Sequence, residues 1–482
     1  MGLITKKLVQ PAVYWVEVPE IDIKLLCACP ADIVKHLSQQ SLLPLTQKDG
    51  RTFESGPNAV LLSDQLFQNE MLSNLSEFPL LHMLYKQGMI IPNHPNNTNQ
   101  KPILIGKTEQ LKAQMDYFYR GNFGLVSEEE YTQLGETAQF AKENISYKLN
   151  FAFGDFLRTD QLLDCIPLED QEIEIHSGFY IKRTALNRFT LSYKGDSIEV
   201  DLNLKKGESY KTSYKLPPAK IPEALFAVIH TGEGDGWDPN RPCLGSIVVY
   251  DGKAFLIDTG PQIRTTLEAF DLQPENLGGI FFTHVHDDHF AGLCSIINKK
   301  YKIKIFATRV VYKTVLLKLA ALTSIPEEEL SDFFTYHELM LGDWNHYGDL
   351  EIKPILSPHP TDTTILIFRA MDNDGYKTYG HFSDITALKS LKKMIVEDFS
   401  SNGILESQYK KLVEIYKMPL DLKKSDVGGA PIHGEATDFI NDPSKKLVLS
   451  HTSSPLNRKQ LAVGIQAKFA ETDILVRSKP SK

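Results

Sequence analysis

Thr283-His284-Val285-His286-Asp287-Asp288-His289 puts three imidazoles and two carboxylates into one short loop. The loop follows an apolar run at 279–282 that reads as a strand. His284 and His286, two apart as the chain leaves that strand, can point to one side. Asp288 and His289 come next, on the turn into a following helix. One loop can therefore serve two cations, and its imidazole nitrogens and carboxylate oxygens suit Zn²⁺ as well as Mn²⁺ or Fe. The histidines point the same way: of fourteen in the chain, His284, His286, His289, His337, His346, His359, His381, His433 and His451 all lie from this loop onward.

Working outward from the loop, the preceding segments read as strand 226–229, strand 245–250, strand 254–257, helix 262–270 and strand 279–282. Two hairpin strands followed by β-α units predict a sheet with helices on its outer faces. Segments 375–384 and 447–450 read as later strands of the same domain, each ending in a potential ligand. The stretch Lys215-Leu-Pro-Pro-Ala-Lys-Ile-Pro222 sets three prolines where neither helix nor central strand can continue. The expected domains are therefore 1–220 and 221–482. Upstream, residues 1–165 read as mixed and largely helical, with a helix start at Ser127, whose side chain can cap while Glu130 closes the box. Residues 171–204 alternate apolar and polar, broken at Ser177-Gly178 and Lys194-Gly195-Asp196, and predict antiparallel strands joined by tight turns.

A chain of 482 residues exceeds one comfortable core, which fits two domains. Apolar content of 42% and charged content of 23% are those of a folding chain. A net charge of −9 argues against coating long nucleic acid, which needs many phosphate-neutralising Lys and Arg. The five cysteines, Cys27, Cys29, Cys165, Cys243 and Cys294, are odd in number and lack a C-x-x-C pair, so they read as reduced thiols. No signal-peptide pattern and no membrane-length apolar run is present, so no membrane partner and a cytoplasmic location are expected.

The loop at 283–289 resembles the H-x-H-x-D-H hallmark of the metallo-β-lactamase superfamily, and the likeness extends over about 224–470. Leu256-Ile-Asp-Thr-Gly260 is similar to the family's strand-end acidic motif, His359 in Ser-Pro-His-Pro-Thr to its third motif, Asp384 to its bridging carboxylate and His451 to its last ligand. The resemblance implies a C-terminal metallo-β-lactamase αββα sandwich of the α/β class, with an α+β N-terminal domain. It also implies two divalent metal ions. His284, His286 and His359 would hold one, Asp288, His289 and His451 the other, with Asp384 shared and Asp258 supporting the loop.

Two such ions share a water and lower its pKa toward about 7, which makes the expected chemistry hydrolysis. Asp426-Val-Gly-Gly-Ala-Pro-Ile-His-Gly-Glu-Ala-Thr437 resembles the His-Glu-Ala-Thr segment of the RNase Z-like phosphodiesterase branch, although Gly434 separates His433 from Glu435. Asp288, His433 and Glu435 are accordingly the candidate catalytic residues, with His433, oriented by Glu435, protonating the leaving oxygen. Trp237, in the glycine-rich run Thr231-Gly-Glu-Gly-Asp-Gly-Trp237, is with His433 a candidate substrate contact, offering a stacking face for a base; a plain hairpin loop is the competing reading. The whole layout is similar to bacterial cyclic-nucleotide phosphodiesterases with an extra N-terminal region. It implies 3′,5′-cyclic AMP or GMP as substrate and an N-terminal region that regulates or forms a homodimer contact. Two alternatives stand beside it. One is a diiron oxygen-binding sensor related to flavodiiron proteins, which usually carry Glu at the position of His286. The other is a hydrolase of another phosphodiester or an acyl substrate.

Overall fold

The structure, a computed structural model, describes residues 2–429 and 431–479. By contact the chain forms two compact units. The first comprises Met1–Tyr119, Leu157–Ser213 and Ala321–Ser324; the second comprises Arg120–Phe156, Tyr214–Ala320 and Ile325–Lys482. A single division at residue 220 therefore does not describe this chain, because Arg120–Phe156 is counted with the C-terminal residues.

In the first unit a six-stranded sheet runs in the order Thr5–Gln10, Val13–Val18, Ile23–Cys27, Ala59–Leu61, Ile103–Gly106, Asp164–Pro167. The first three strands pair antiparallel and the last four are mutually parallel. The expectation of a largely helical start is corrected here: Val13–Val18 buries Val13, Trp15, Val16 and Val18, a β-branched and aromatic set that suits a pleated surface better than a helix. Cys27 and Cys29 are buried, and neither is in a disulfide. The strands expected within 171–204 are present as the antiparallel sheet Ile173–His176, Phe179–Ala185, Arg188–Tyr193, Asp196–Asp201. Ser177-Gly178 and Lys194-Gly195 take positive φ at both turn positions, the backbone that two-residue hairpins need.

The second unit is built on two sheets. Seven strands follow the order Phe334–Glu338, Ile303–Ala307, Gly279–Phe281, Lys253–Ile257, Gly245–Tyr250, Phe226–Gly232, Thr472–Val476. Six follow the order Asn345–Tyr347, Leu350–Ser357, Thr363–Asp372, Gly375–Phe382, Leu422–Asp426, Lys446–Ser450. Val228, Val248, Phe255, Phe281 and Phe306 from the first sheet meet Ile352, Leu366, Phe368, Tyr379, Leu422 and Val448 from the second in one buried cluster. Alternate residues such as Ile229, Ile247, Leu256, Ile280 and Ile305 are buried as well, so the outer face of the first sheet is also covered. Helices Ile263–Ala269 and Arg309–Thr323 connect its strands. On the far side, helices Leu388–Lys393 and Glu406–Tyr416 place Leu391, Leu412, Ile415 and Tyr416 against Ile365, Ile367, Phe382 and Leu449. The layers are helix, sheet, sheet, helix.

Arg120–Phe156 adds the helices Glu128–Gln133 and Ala138–Phe151. Ser127 caps the first by accepting from the Glu130 amide at 3.2 Å. The returning arm of the box goes one residue further back, because the Glu130 carboxylate accepts from the Val126 amide at 2.7 Å.

Candidate metal centre

Strand direction gathers the site. Lys253–Ile257 and Gly279–Phe281 are parallel, so Asp258 and His284 leave the same edge of the first sheet. In the second sheet Leu350–Ser357 and Gly375–Phe382 each run antiparallel to the strand between them, and Gly375–Phe382, Leu422–Asp426 and Lys446–Ser450 are parallel. His359, Asp384, Asp426 and His451 therefore all sit at carboxyl ends of strands on one edge, the position where ligands commonly bind in such sheets.

Asp384 divides its two oxygens between two groups of imidazoles. Oδ2 lies 3.5 Å from His284 Nε2 and 3.4 Å from His359 Nε2. Oδ1 lies 3.1 Å from His289 Nε2 and 3.4 Å from His451 Nε2. His286 Nδ1 joins the first group at 3.1 Å from His359 Nε2, and Asp288 Oδ2 joins the second at 3.0 Å from His451 Nε2. The seven residues expected from the resemblance come together as two candidate ligand sets around one carboxylate.

The chemistry of these atoms fits cations. His284 Nε2, His289 Nε2 and Asp384 Oδ1 are buried and make no hydrogen bond, a cost that a ligated cation removes. The opposite ring nitrogens are occupied: His289 Nδ1 meets Asp258 Oδ2 at 2.8 Å, His359 Nδ1 meets the Ile432 carbonyl at 3.1 Å and His284 Nδ1 meets Thr283 Oγ1 at 3.0 Å. Each contact occupies one ring nitrogen and leaves the other facing the cleft. Asp258 also accepts from the Thr283 amide at 2.7 Å and hydroxyl at 2.6 Å, so one carboxylate links the start of the loop to His289.

Electrostatics separates the two sets. Burial lowers the pKa of His284, His286 and His359, which keeps them neutral and able to ligate. In the other set burial pulls His451 down, but Asp384, Asp426 and Asp288 outweigh it and raise it to about 10. His289 is raised in the same way, against burial, by Asp288 and Asp384. The carboxylates around this second position demand positive charge.

A family described as "Anti-Pycsar protein Apyc1" matches residues 231–425. The chain is 23% identical over 234 residues to the "cAMP/cGMP-dependent 3',5'-cAMP/cGMP phosphodiesterase B" of Dictyostelium discoideum, which covers 48% of this chain and 21% of that protein. It thus spans about a fifth of that relative's length. It is 25% identical over 221 residues to "Exodeoxyribonuclease YycJ" of Bacillus anthracis, covering 44% of this chain and 79% of that one. Among solved structures, the "metallo-beta-lactamase fold protein YhfI from Bacillus subtilis" aligns at 14% identity over 51% of this chain and 98% of its own, with a TM-score of 0.36. The four layers, the hallmark loop and the shared Asp384 place the C-terminal unit in one group. It is a metallo-β-lactamase-fold domain.

Not every expected residue of this metallo-β-lactamase domain reaches the centre in the expected way. His433 does: its ring stacks on His451 with centroids 4.5 Å apart. Its partner is Asp426, whose Oδ2 lies 3.1 Å from His433 Nδ1, and not Glu435. Glu435 instead pairs with Lys389 and accepts from Thr437 at 3.3 Å. Gly434 explains the difference, since it turns the backbone so that its own amide, 3.2 Å from Asp426 Oδ2, joins His433 on that carboxylate. Burial lowers the pKa of His433, but Asp426 and Asp384 together outweigh it and raise the pKa above the ordinary imidazole value.

Trp237 is half-buried in the loop between Phe226–Gly232 and Gly245–Tyr250. That loop is fastened to Thr452, beside His451, by Arg241 at 2.7 Å to the carbonyl and 3.0 Å to the hydroxyl. Its glycines serve the loop itself: a Cβ on Gly232 would fall 1.8 Å from the Cys243 carbonyl oxygen. His381 and His230 stay outside both ligand sets, bonded to Tyr379 at 2.8 Å and Asp473 at 2.9 Å.

Sequence reasoning missed two side chains that shape the centre. Asp426, fully buried, is the first residue of the segment 426–437; the signal in the sequence is its position at a strand end before Gly428-Gly429. Lys318, fully buried in helix Arg309–Thr323, reaches the Asp287 carboxylate at 2.7 Å and the Val285 carbonyl at 2.6 Å, holding the hallmark loop from behind. Nothing local in its helix marks it.

Proposed function

We propose that this domain is a metal-dependent phosphodiesterase that hydrolyses 3′,5′-cyclic nucleotides. The observation that carries the reading is the His433–Asp426 pair standing over the second ligand set. A phosphodiester releases an alkoxide, and a leaving alkoxide needs a proton at that point. His433 is protonated above its usual range and 20% exposed, so it can meet a substrate and give up a proton. Asp426 then holds the ring and the remaining charge.

Two divalent ions, Zn²⁺ by the nitrogen and oxygen donors present, would supply an activated water and neutralise the phosphate. His284, His286 and His359 would hold one, Asp288, His289 and His451 the other, with Asp384 between. Asp258 and Thr283 keep the imidazoles oriented, and Trp237 is positioned on a pinned loop as a candidate base contact. The first curated relative, named as a cyclic-nucleotide phosphodiesterase, supports this choice of diester. The relative named as an exodeoxyribonuclease supports a second reading, a small nuclease. The sensor reading loses ground because position 286 contributes an imidazole to the first set. A regulatory or dimer-forming role for the N-terminal region belongs to the same proposal.

A panel of cyclic mononucleotides, cyclic dinucleotides, short single-stranded DNA, a chromogenic phosphodiester, a thioester and a β-lactam, run on protein of known metal content, tests it. Cyclic mononucleotides are expected to turn over fastest. Preference for DNA ends would install the nuclease reading, and turnover of the thioester or β-lactam alone would overturn both.

A further inference from the structure

Asp362 lies three residues beyond His359, in the segment that joins this ligand to strand Thr363–Asp372. Its carboxylate is buried and fully engaged from Arg120–Phe156. The Leu125 amide donates to Oδ2 at 2.9 Å, Lys148 Nζ to the same oxygen at 3.0 Å, and the Tyr131 hydroxyl to Oδ1. Lys148 and Asp362 side chains are 0% and 2% exposed. The ammonium also donates to the Tyr131 hydroxyl at 3.1 Å and to the Leu125 carbonyl. Gly124, at φ +61°, makes room for the carboxylate, because a Cβ there would come within 2.3 Å of Asp362 Oδ2.

Resting on the metal-dependent reading above, we propose that Lys148 is a positioning residue which, through Asp362, sets His359 for the first ligand set. His359 is itself held by the Ile432 carbonyl, and Thr363 and Thr364 pair in the strand ladder with Ser357 and Leu356, so the Asp362 carboxylate is what ties down the short link between them. Before it, the Pro358 carbonyl accepts from Thr386 at 2.7 Å and Ser357 donates to the Asp384 carbonyl at 2.9 Å. After it, the Thr364 amide donates to the Thr283 carbonyl at 3.0 Å, next to His284. Between these two anchors the chain is held by the Asp362 carboxylate and by His359 Nδ1 at the Ile432 carbonyl. A buried carboxylate that loses its cation must move toward water or take up a proton, and either change shifts the loop that carries His359. A group that supports a metal ligand from behind typically affects affinity by about 10 to 100-fold.

The test uses the full chain and two readouts that need no turnover: zinc binding by equilibrium dialysis, and amide hydrogen exchange of residues 359–364 in metal-free protein. Lys148→Met should weaken one of two zinc ions by about 10 to 100-fold and speed exchange across 359–364. Ser146→Ala is the control; it removes the 3.0 Å bond to the Gly403 carbonyl from the same helix without touching Asp362, and should leave both readouts unchanged. If Lys148→Met does not fold, Tyr131→Phe decides, with a smaller loss in the same direction. Two zinc ions at parental affinity, with parental exchange, in whichever variant folds would overturn the proposal. Parental protein that binds two zinc ions yet cleaves no phosphodiester would instead sink the functional reading and leave the role of Lys148 standing.

Discussion

Two buried polar clusters can be compared. In the first unit, Asn74 accepts from the Ser63 amide at 2.9 Å and donates to the Ser63 carbonyl at 2.9 Å and to Gln110 at 2.8 Å. Gln114 accepts from the Ser76 amide at 2.9 Å and hydroxyl at 2.8 Å and donates to the Asn74 carbonyl at 3.1 Å. Both amides spend their hydrogen-bonding capacity on their own chain. In the second unit His284, His289 and Asp384 are just as buried but keep atoms without hydrogen-bond partners. Burial of polar groups alone does not distinguish a structural network from a functional centre, and neither does a single orphaned atom such as Ser63 Oγ; several orphaned atoms gathered around one carboxylate do.

The sharpest way to break this contrast is Asp384→Asn, which removes a charge both ligand sets share. Metal content measured by mass spectrometry and turnover should both fall by more than the roughly 10 to 100-fold seen for residues behind the ligands. A variant that keeps two ions would show that the sets are independent. His433→Ala should lower turnover by about 10² to 10⁴-fold while leaving metal content intact, with Asp426→Asn moving turnover in the same direction. Unchanged rates would remove His433 from the chemistry. Asp258→Asn should cost about 10 to 100-fold in metal affinity at the second set, read by competition with a chelator.

The satisfied cluster should respond in the opposite sense. Asn74→Ala is expected to destabilise the protein by about 1 to 3 kcal/mol, seen in denaturant unfolding, with no change in metal content. A smaller effect comes from His82. Burial lowers its pKa, against the opposing hydrogen bond to Glu54 at 3.1 Å. The unfolded chain, with a His pKa of about 6.5, therefore binds the proton more readily than the folded one. Stability is full above that value and declines as pH falls through it, and His82→Gln should flatten the decline between about pH 7 and 5.

The hallmark loop was readable because its ligands are close in sequence and follow an apolar strand. Asp384 and His451 stood out only as potential ligands at strand ends, and their places in the two sets, like that of His359, came through resemblance, since each is a single polar residue beyond a strand. Asp426 escaped because Lys423-Lys424-Ser425-Asp426 looks like a solvated charge run, yet the strand is buried throughout. Lys423 is neutralised by Asp442, and Lys424 reaches Glu233 at 2.7 Å; those partners are distant in sequence. The pairing of His433 was misassigned to Glu435 for a related reason: proximity along the chain stood in for proximity in space. The strands at 171–204 were legible because a hairpin sheet writes its register locally, in alternation and turn residues. The membership of Arg120–Phe156 in the second unit was not, because it rests on contacts such as Lys148 with Asp362.

Those two residues are separated by 214 positions in the chain. Synthesis delivers the lysine long before the aspartate, so this part of the second unit must wait for most of the polypeptide. Closing so large a loop is entropically inexpensive at the margin but slow, because distant segments must find each other before their contact is rewarded. Maturation of this unit is therefore expected to be a late event, and a nascent chain released early would carry the hallmark loop without its finished surroundings.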